Sequence, residues 1–422
     1  MAPEIHDRLH ITDDFKPYDF AVNERPSREA ELDIDPLYRD RCLIHAIHGG
    51  DTIPRPFYNS LVARGPDGIE DVLSNVYFAE KDWGTFQIAA RLAHYLGLNG
   101  YLRINVARAL MDFGRFPGMT PPDAGHLDRF AINYPFSYYL DHEQKTSLLQ
   151  NIYDRTSRYY EQQAPGKLLI LGVHTYDTHN PSDGDGHAGP GTVRPEVSII
   201  YRALSFQAKA RMPYGLFDRL FIDELAEFTA DRRLTARMAL TLEKNGIGVG
   251  LNFPYLLPNG SFEVRGQIWT FFSFLRERFE NRYPHKRGLT PYELVWDMLM
   301  DTNLRGTQSE GLRSYLHMYR EPPKNQLRLY RAAQRAYCDI ETFLNRNRRE
   351  IMTDFRFSPN RLSSLAIEVR KDLIWRFEDR LCRKPVLGPE GLIRENVDRI
   401  AHLISSAIAV YFNKDRGPIL ER

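Results

Sequence analysis

The amino-acid sequence predicts an α/β fold: a three-layer αβα sandwich around a mainly parallel or mixed sheet, with an α-helical insertion. Three observations predict it. Short apolar runs of strand length recur along the chain, and several of them run directly into polar residues. Segments with apolar residues at helical spacing lie between them, which is the pattern of a parallel sheet covered on both faces. From about residue 266 to 361 the texture changes to aromatic and arginine-rich helical patterns.

Residues 1–40 are polar with scattered prolines and acids, and read as an arm or edge segment. Arg41 to Ile47 is a buried strand that runs into His48-Gly49-Gly50-Asp51, a glycine turn. Asp82 to Leu96 has helical spacing with Gly97 as its stop. Tyr101 to Met111 is a second strand candidate, and Lys145 to Tyr160 reads as a helix. Lys167 to Val173 is the strongest buried-strand signal and ends at His174. The Gly/Asp/His/Pro segment from Thr178 to Thr192 reads as a loop. Glu196 to Tyr201 is a strand, Leu216 to Asn245 is helical, and Gly246 to Phe253 is a strand. Thr290-Pro291-Tyr292-Glu293 reads as a capping box with proline at the first helical position. Gln326 to Asn345 is a long amphipathic helix, Ser363 to Val369 returns to strand, and Asn396 to Tyr411 closes the chain as a helix. The expected units are therefore an arm (1–40), an α/β core (41–265 and 362–422) and a helical insertion (266–361).

The chain has 422 residues, 42% hydrophobic and 26% charged, with a net charge of +1. That balance gives no electrostatic case for nucleic acid or an anionic membrane surface. Cys42, Cys338 and Cys382 form no CxxC pair and no disulfide framework, which fits a reducing, cytoplasmic setting. The first residues lack a signal-peptide pattern, and no apolar stretch has the length of a membrane helix. P-loop, dinucleotide and serine-elbow motifs are absent.

Ligands of open α/β sheets sit at the carboxyl ends of strands. His48 and Asp51 follow one strand run, His174 another, and Asn252 and Tyr255 a third, while Glu368 lies near the end of a fourth. Two histidines and a carboxylate are a set that binds catalytic zinc and leaves a position open for water. Taken alone, each histidine is as well explained as a hydrogen-bonding turn residue; their placement at two separate buried strands favours a metal site. Glu368, Arg370 and Asp372 share one face of a strand, either as a solvated edge or as a base and a substrate clamp beside the metal. Arg108, Asp112 and Arg115 form a second polar group, suited to an anionic substrate or to a structural Arg–Asp bridge. His179 and His187 could hold a second metal, but a surface loop is the plainer reading.

The ordered motifs resemble the N-formylglutamate amidohydrolase family, whose fold is similar to that of zinc carboxypeptidases. The matching segments are His48-Gly49-Gly50-Asp51-Thr52-Ile53-Pro54, Asp82-Trp83-Gly84, Arg108 with Asp112 and Arg115, Val173-His174-Thr175, Arg194-Pro195, Asn252-Phe253-Pro254-Tyr255, and Ile367-Glu368-Val369-Arg370-Lys371-Asp372-Leu373. They cover roughly residues 40–256 and 362–412. Two departures stand out: Gly114 replaces the family's Asn, with Phe116 between Arg115 and Pro117, and about 100 residues separate motifs that lie closer together in the family.

The resemblance implies one Zn²⁺ on His48 and His174, with Asp51 or Asp82 as the third ligand. It implies Glu368 as general base, with Arg108, Arg115, Asn252, Tyr255 and Arg370 around the substrate. The expected reaction is hydrolysis of an N-acyl or N-formyl amide on a carboxylate-bearing small molecule or peptide. The inserted helices would act as a lid or recognition subdomain. Rival readings are a metal-dependent peptide- or natural-product-modifying enzyme of another reaction class, and a binding protein that keeps the fold without catalysis.

Overall fold

The structure is a computed structural model, and it describes residues 7–23, 32, 34–115, 131–180, 189–203, 217–258, 260–318, 321–322 and 324–416. Its strands are β1 (His10–Thr12), β2 (Tyr18–Val22), β3 (Cys42–Ala46), β4 (Thr52–Pro54), β5 (Gly100–Ile104), β6 (Leu169–Tyr176), β7 (Val197–Ile200), β8 (Val249–Leu251) and β9 (Ser363–Arg370). Seven of them form one sheet in the order β2-β5-β3-β6-β9-β7-β8, and β1 pairs with β4 apart from it. The central strands β5, β3, β6 and β9 run parallel, as do β7 and β8. β2 joins β5, and β7 joins β9, antiparallel, so the sheet is mixed. The expected arm thus supplies an edge strand.

The helices used below are α1 (Arg55–Arg64), α2 (Ile69–Glu80), α3 (Thr85–Tyr95), α4 (Asp154–Gln163), α5 (Arg232–Lys244), α6 (Phe262–Arg282), α7 (Thr290–Met300), α8 (Thr307–Met318), α9 (Leu327–Arg346), α10 (Arg348–Arg356) and α11 (Arg394–Val410). Strand alternation assigns them to layers. Ile44, Leu171, Val173, Ile367 and Val369 point to one face and share a core with α3, α5 and α11. Leu43, Ile47 and Ile170 point the other way, onto a core with α1, α2 and α4. Ile200 and Ala366 also lie on that second face, in a core with residues of α6, α7, α9 and α10.

Three expectations shift. The helical run expected from Leu216 to Asn245 is two helices, Asp223–Glu227 and α5, because Asp231 caps α5 by accepting from the Arg233 amide. α7 does begin at Thr290 with proline in its first turn, but its cap position is Leu289 and no side chain caps it. The expected boundary at 265/266 falls inside α6, which starts at Phe262 behind the Ser261 cap and packs directly on β6 and β9. The inserted helices therefore supply part of the sheet's second layer.

Candidate functional site

β3, β6 and β9 lie side by side, and their carboxyl ends bring the site together. His174 and Glu368 are register partners on β6 and β9, so their side chains stand next to each other. His174 lies inside β6 rather than after it, two residues before the strand ends at Tyr176. The chain leaving β3 carries His48, whose carbonyl accepts from the Asp82 amide at 3.1 Å. Asp82 precedes α3, with Gly84 at the helix cap. Gly84 has φ +83°, and a Cβ there would meet Ile374 at 2.1 Å, so only glycine fits the turn that aims Asp82.

The donor atoms converge. Asp82 Oδ2 is 3.4 Å from His48 Nδ1 and 3.1 Å from His174 Nδ1. One donor atom from each residue lies within 4.8 Å of the others, and all three residues are buried. This group can hold a metal ion. His48 Nδ1 fits that role, because it is buried without a hydrogen bond. Between the two carboxylates left open by the sequence, the structure brings Asp82 into the group. Asp51 lies outside it, with its carboxylate accepting from the Thr52 hydroxyl at 3.0 Å.

Further side chains fix the outer sides of these ligands. His48 Nε2 is 2.8 Å from Asp112 Oδ1, a carboxylate–histidine arrangement that orients the ring. Arg108 bridges the carboxylates, at 3.1 Å to Asp82 Oδ1 and 3.3 Å to Asp112 Oδ2. Burial alone would raise Asp82, but its hydrogen bond with His174 and the nearby charges of His48 and Arg108 hold it far below the usual carboxylate range. Asp112 is likewise held low against its burial by His48 and Arg108. Burial lowers His174, yet its hydrogen bond to Asp82 and the charges of Glu368, Asp82 and Glu263 push it up to about 9.

Glu368 sits beside this group. Tyr255 Oη donates to its Oε1 at 2.5 Å. Its pKa is raised, first by burial and then by the charge of Asp82, against the pull of His174, Tyr255 and Arg108. A raised carboxylate next to a metal site suits proton transfer near neutral pH. A cavity of about 450 Å³ opens over the group, lined among others by Arg115, Arg194, Tyr176 and Lys371.

Other expected residues are placed differently. Asn252 adopts φ 53° and spends its Oδ1 on the amides of Tyr201 and Arg202, so it ties the ends of β7 and β8 and does not line the cavity. Arg370 forks onto Asp372 at 2.9 and 3.0 Å and is also absent from the lining. Arg115 reaches the mouth half exposed, 3.4 Å from Asp112. His187 and Pro117 lie outside the described residues. No described residue of 266–361 lines the cavity; the start of α6, at Glu263, does.

Sequence reasoning missed Glu263. It is buried at the start of α6, 3.0 Å from the buried His45, and lines the cavity. Burial favours its neutral form, but His45 and His174 overcome that and hold it down to about 2. Its space comes from Gly172, where a Cβ would fall 2.0 Å from Glu263 Oε1. The available signal was an acid two residues after the Ser261 cap, in an otherwise apolar turn.

No family model matches the chain, and no curated protein matches it. Among solved structures, it is similar to a gene product of Agrobacterium tumefaciens, at 15% identity and TM-score 0.40, covering 94% of this chain and 96% of that one. It is also similar to the N-formylglutamate amidohydrolase of Ralstonia eutropha, at 11% identity and TM-score 0.42, covering 94% of this chain and 99% of that one. Family membership does not follow from these values.

Proposed function

We propose that this protein is a metal-dependent amidohydrolase that cleaves an N-acyl or N-formyl amide of a carboxylate-bearing substrate. The observation that carries this reading is the buried His48–Asp82–His174 group with Glu368 in register beside it. His48, Asp82 and His174 would hold the ion, zinc by the chemistry of the donor set. A divalent ion bound there supplies Lewis acidity toward the substrate carbonyl and the attacking water.

The chain's own residues do the rest. Asp112 holds His48 by Nε2, which leaves Nδ1 facing the centre. Arg108 keeps Asp82 and Asp112 ionised and fixed. Tyr255 holds Glu368 Oε1, and Oε2 takes the proton from water and returns it to the leaving nitrogen. Arg115 and Arg194, both at the cavity wall, would receive the substrate carboxylate.

The test measures metal content and amide hydrolysis together, on a panel of N-formyl and N-acyl amino acids. Glu368→Gln is expected to keep its metal and lose about 10²–10⁴-fold in turnover. Full activity in a metal-loaded Glu368→Gln protein would overturn the mechanism. A purified protein that takes up no divalent metal would overturn the site.

A further inference from the structure

The metal group lies at the carboxyl ends of the central strands. At the opposite end of β9, beside the start of α5, is a second and larger cleft of about 1310 Å³. Arg361, on its wall, precedes Glu368 by seven residues, roughly 23 Å of extended strand. A ligand there would not reach the reacting atoms.

The charge on this cleft is unbalanced. Its carboxylates are Glu224, Asp231, Asp354 and Asp415. Each is already in an ion pair, with Arg348, Arg233, Arg278 and Arg237 respectively. Arg232, Arg356, Arg361, Lys414 and Arg416 also line it, and none has a described carboxylate within ion-pair distance. Two of these five are not freely hydrated. Arg416 is buried and donates to the carbonyls of Pro359 and Arg361. Arg361 donates to the Phe228 carbonyl, and its buried Nε has no hydrogen-bond partner among the described residues. Desolvation lowers the Arg361 pKa, and the charges of Arg356 and Arg416 add to it against the attraction of Asp231. Cations held together and partly dehydrated call for an anion.

The cleft also offers flat apolar surface. Phe357 is 65% exposed and lines it. Arg232 lies 3.9 Å over the ring of Phe228, and both residues line the cleft. Cations beside an exposed aromatic ring match a ligand that carries both phosphates and a planar base.

We propose that this cleft binds a nucleoside polyphosphate, with phosphoryl oxygens on Arg356, Arg361 and Lys414 and the base against Phe357. The site is separate from the metal group and does not depend on the reaction proposed there.

Calorimetric titration of the full chain with adenosine triphosphate and with inorganic tripolyphosphate tests this. Arg356 and Lys414 are exposed, so replacing them leaves the packing intact. The Arg356→Ala/Lys414→Ala double variant should bind both probes at least about tenfold more weakly. Phe357→Ser should weaken the nucleotide and leave tripolyphosphate unchanged. His174→Ala should change neither. Binding that ignores the double variant, or that is lost in His174→Ala, overturns the cleft. Equal affinity for both probes in every variant overturns the assignment to a nucleotide.

Discussion

At the scale of single residues, the candidate metal group is shaped by side chains outside it. Asp112 is the clearest. Removing its charge while keeping its shape, in Asp112→Asn, frees the His48 ring and weakens the hold of Arg108. Metal affinity should fall about 10–100-fold, measured by competition with a chromophoric chelator. The same geometry sets a pH dependence. In the metal-free protein His174 is pushed up to about 9, so at neutral pH it carries a proton. A metal needs the neutral ring and must displace that proton. Apparent affinity should therefore rise with pH, about tenfold per unit for one released proton, and level off once pH passes about 9. Affinity that stays flat between about pH 6 and 8 would overturn the protonated state of His174 in the metal-free protein.

At the scale of elements, the turn between α2 and α3 carries the most information. It places Asp82 under both histidines, and it does so through a left-handed Gly84 pressed against the buried Ile374. Gly84→Ala should cost about 2–4 kcal/mol, from left-handed strain plus overpacking. Urea denaturation gives that value, and the variant should also bind metal more weakly, since the turn that aims Asp82 must shift. The inverse holds for the strand ends near β8. Asn252 works as a tie between β7 and β8, so Asn252→Ala should show itself in stability rather than in substrate affinity. β9 contributes through register alone: its parallel pairing with β6 sets Glu368 beside His174.

At the scale of the whole molecule, the inserted helices are not a separate body. Phe271 of α6 packs on Phe221 and Phe355 in the core that also takes in Ile200 of β7 and Ala366 of β9. Helices and sheet should then melt together. Calorimetry should show one transition, and Phe271→Ala should lower the stability of the whole by about 3–5 kcal/mol. Two transitions, with the helical signal lost first, would contradict a shared core. The cavity over the candidate metal group and the arginine cleft lie at opposite ends of the strands. Among the described residues, no helix is long and apolar enough to cross a membrane.

The sequence by itself determined most of the order of strands and helices, because apolar spacing is a local property, but not where each element stops. The runs ending at Val173 and Val369 were legible as strands, with His174 just after the first and Glu368 near the end of the second. It also made His48, His174 and Glu368 candidates. What it left open was decided by distances between residues far apart in the chain. Asp51 and Asp82 looked equal on paper, and only the turn before α3 carries Asp82 to within 3.1 Å of His174. Asn252 and Arg370 followed the right strands, yet local bonds to Tyr201, Arg202 and Asp372 occupy them. Asp112, first read as either a substrate contact or an Arg–Asp bridge, became the partner of His48 as well. The inserted helices looked like a lid because their sequence shows amphipathicity but not the surface it meets. The tertiary structure shows one such surface, a core shared with Ile200 of β7 and Ala366 of β9, because burying apolar faces removes them from water.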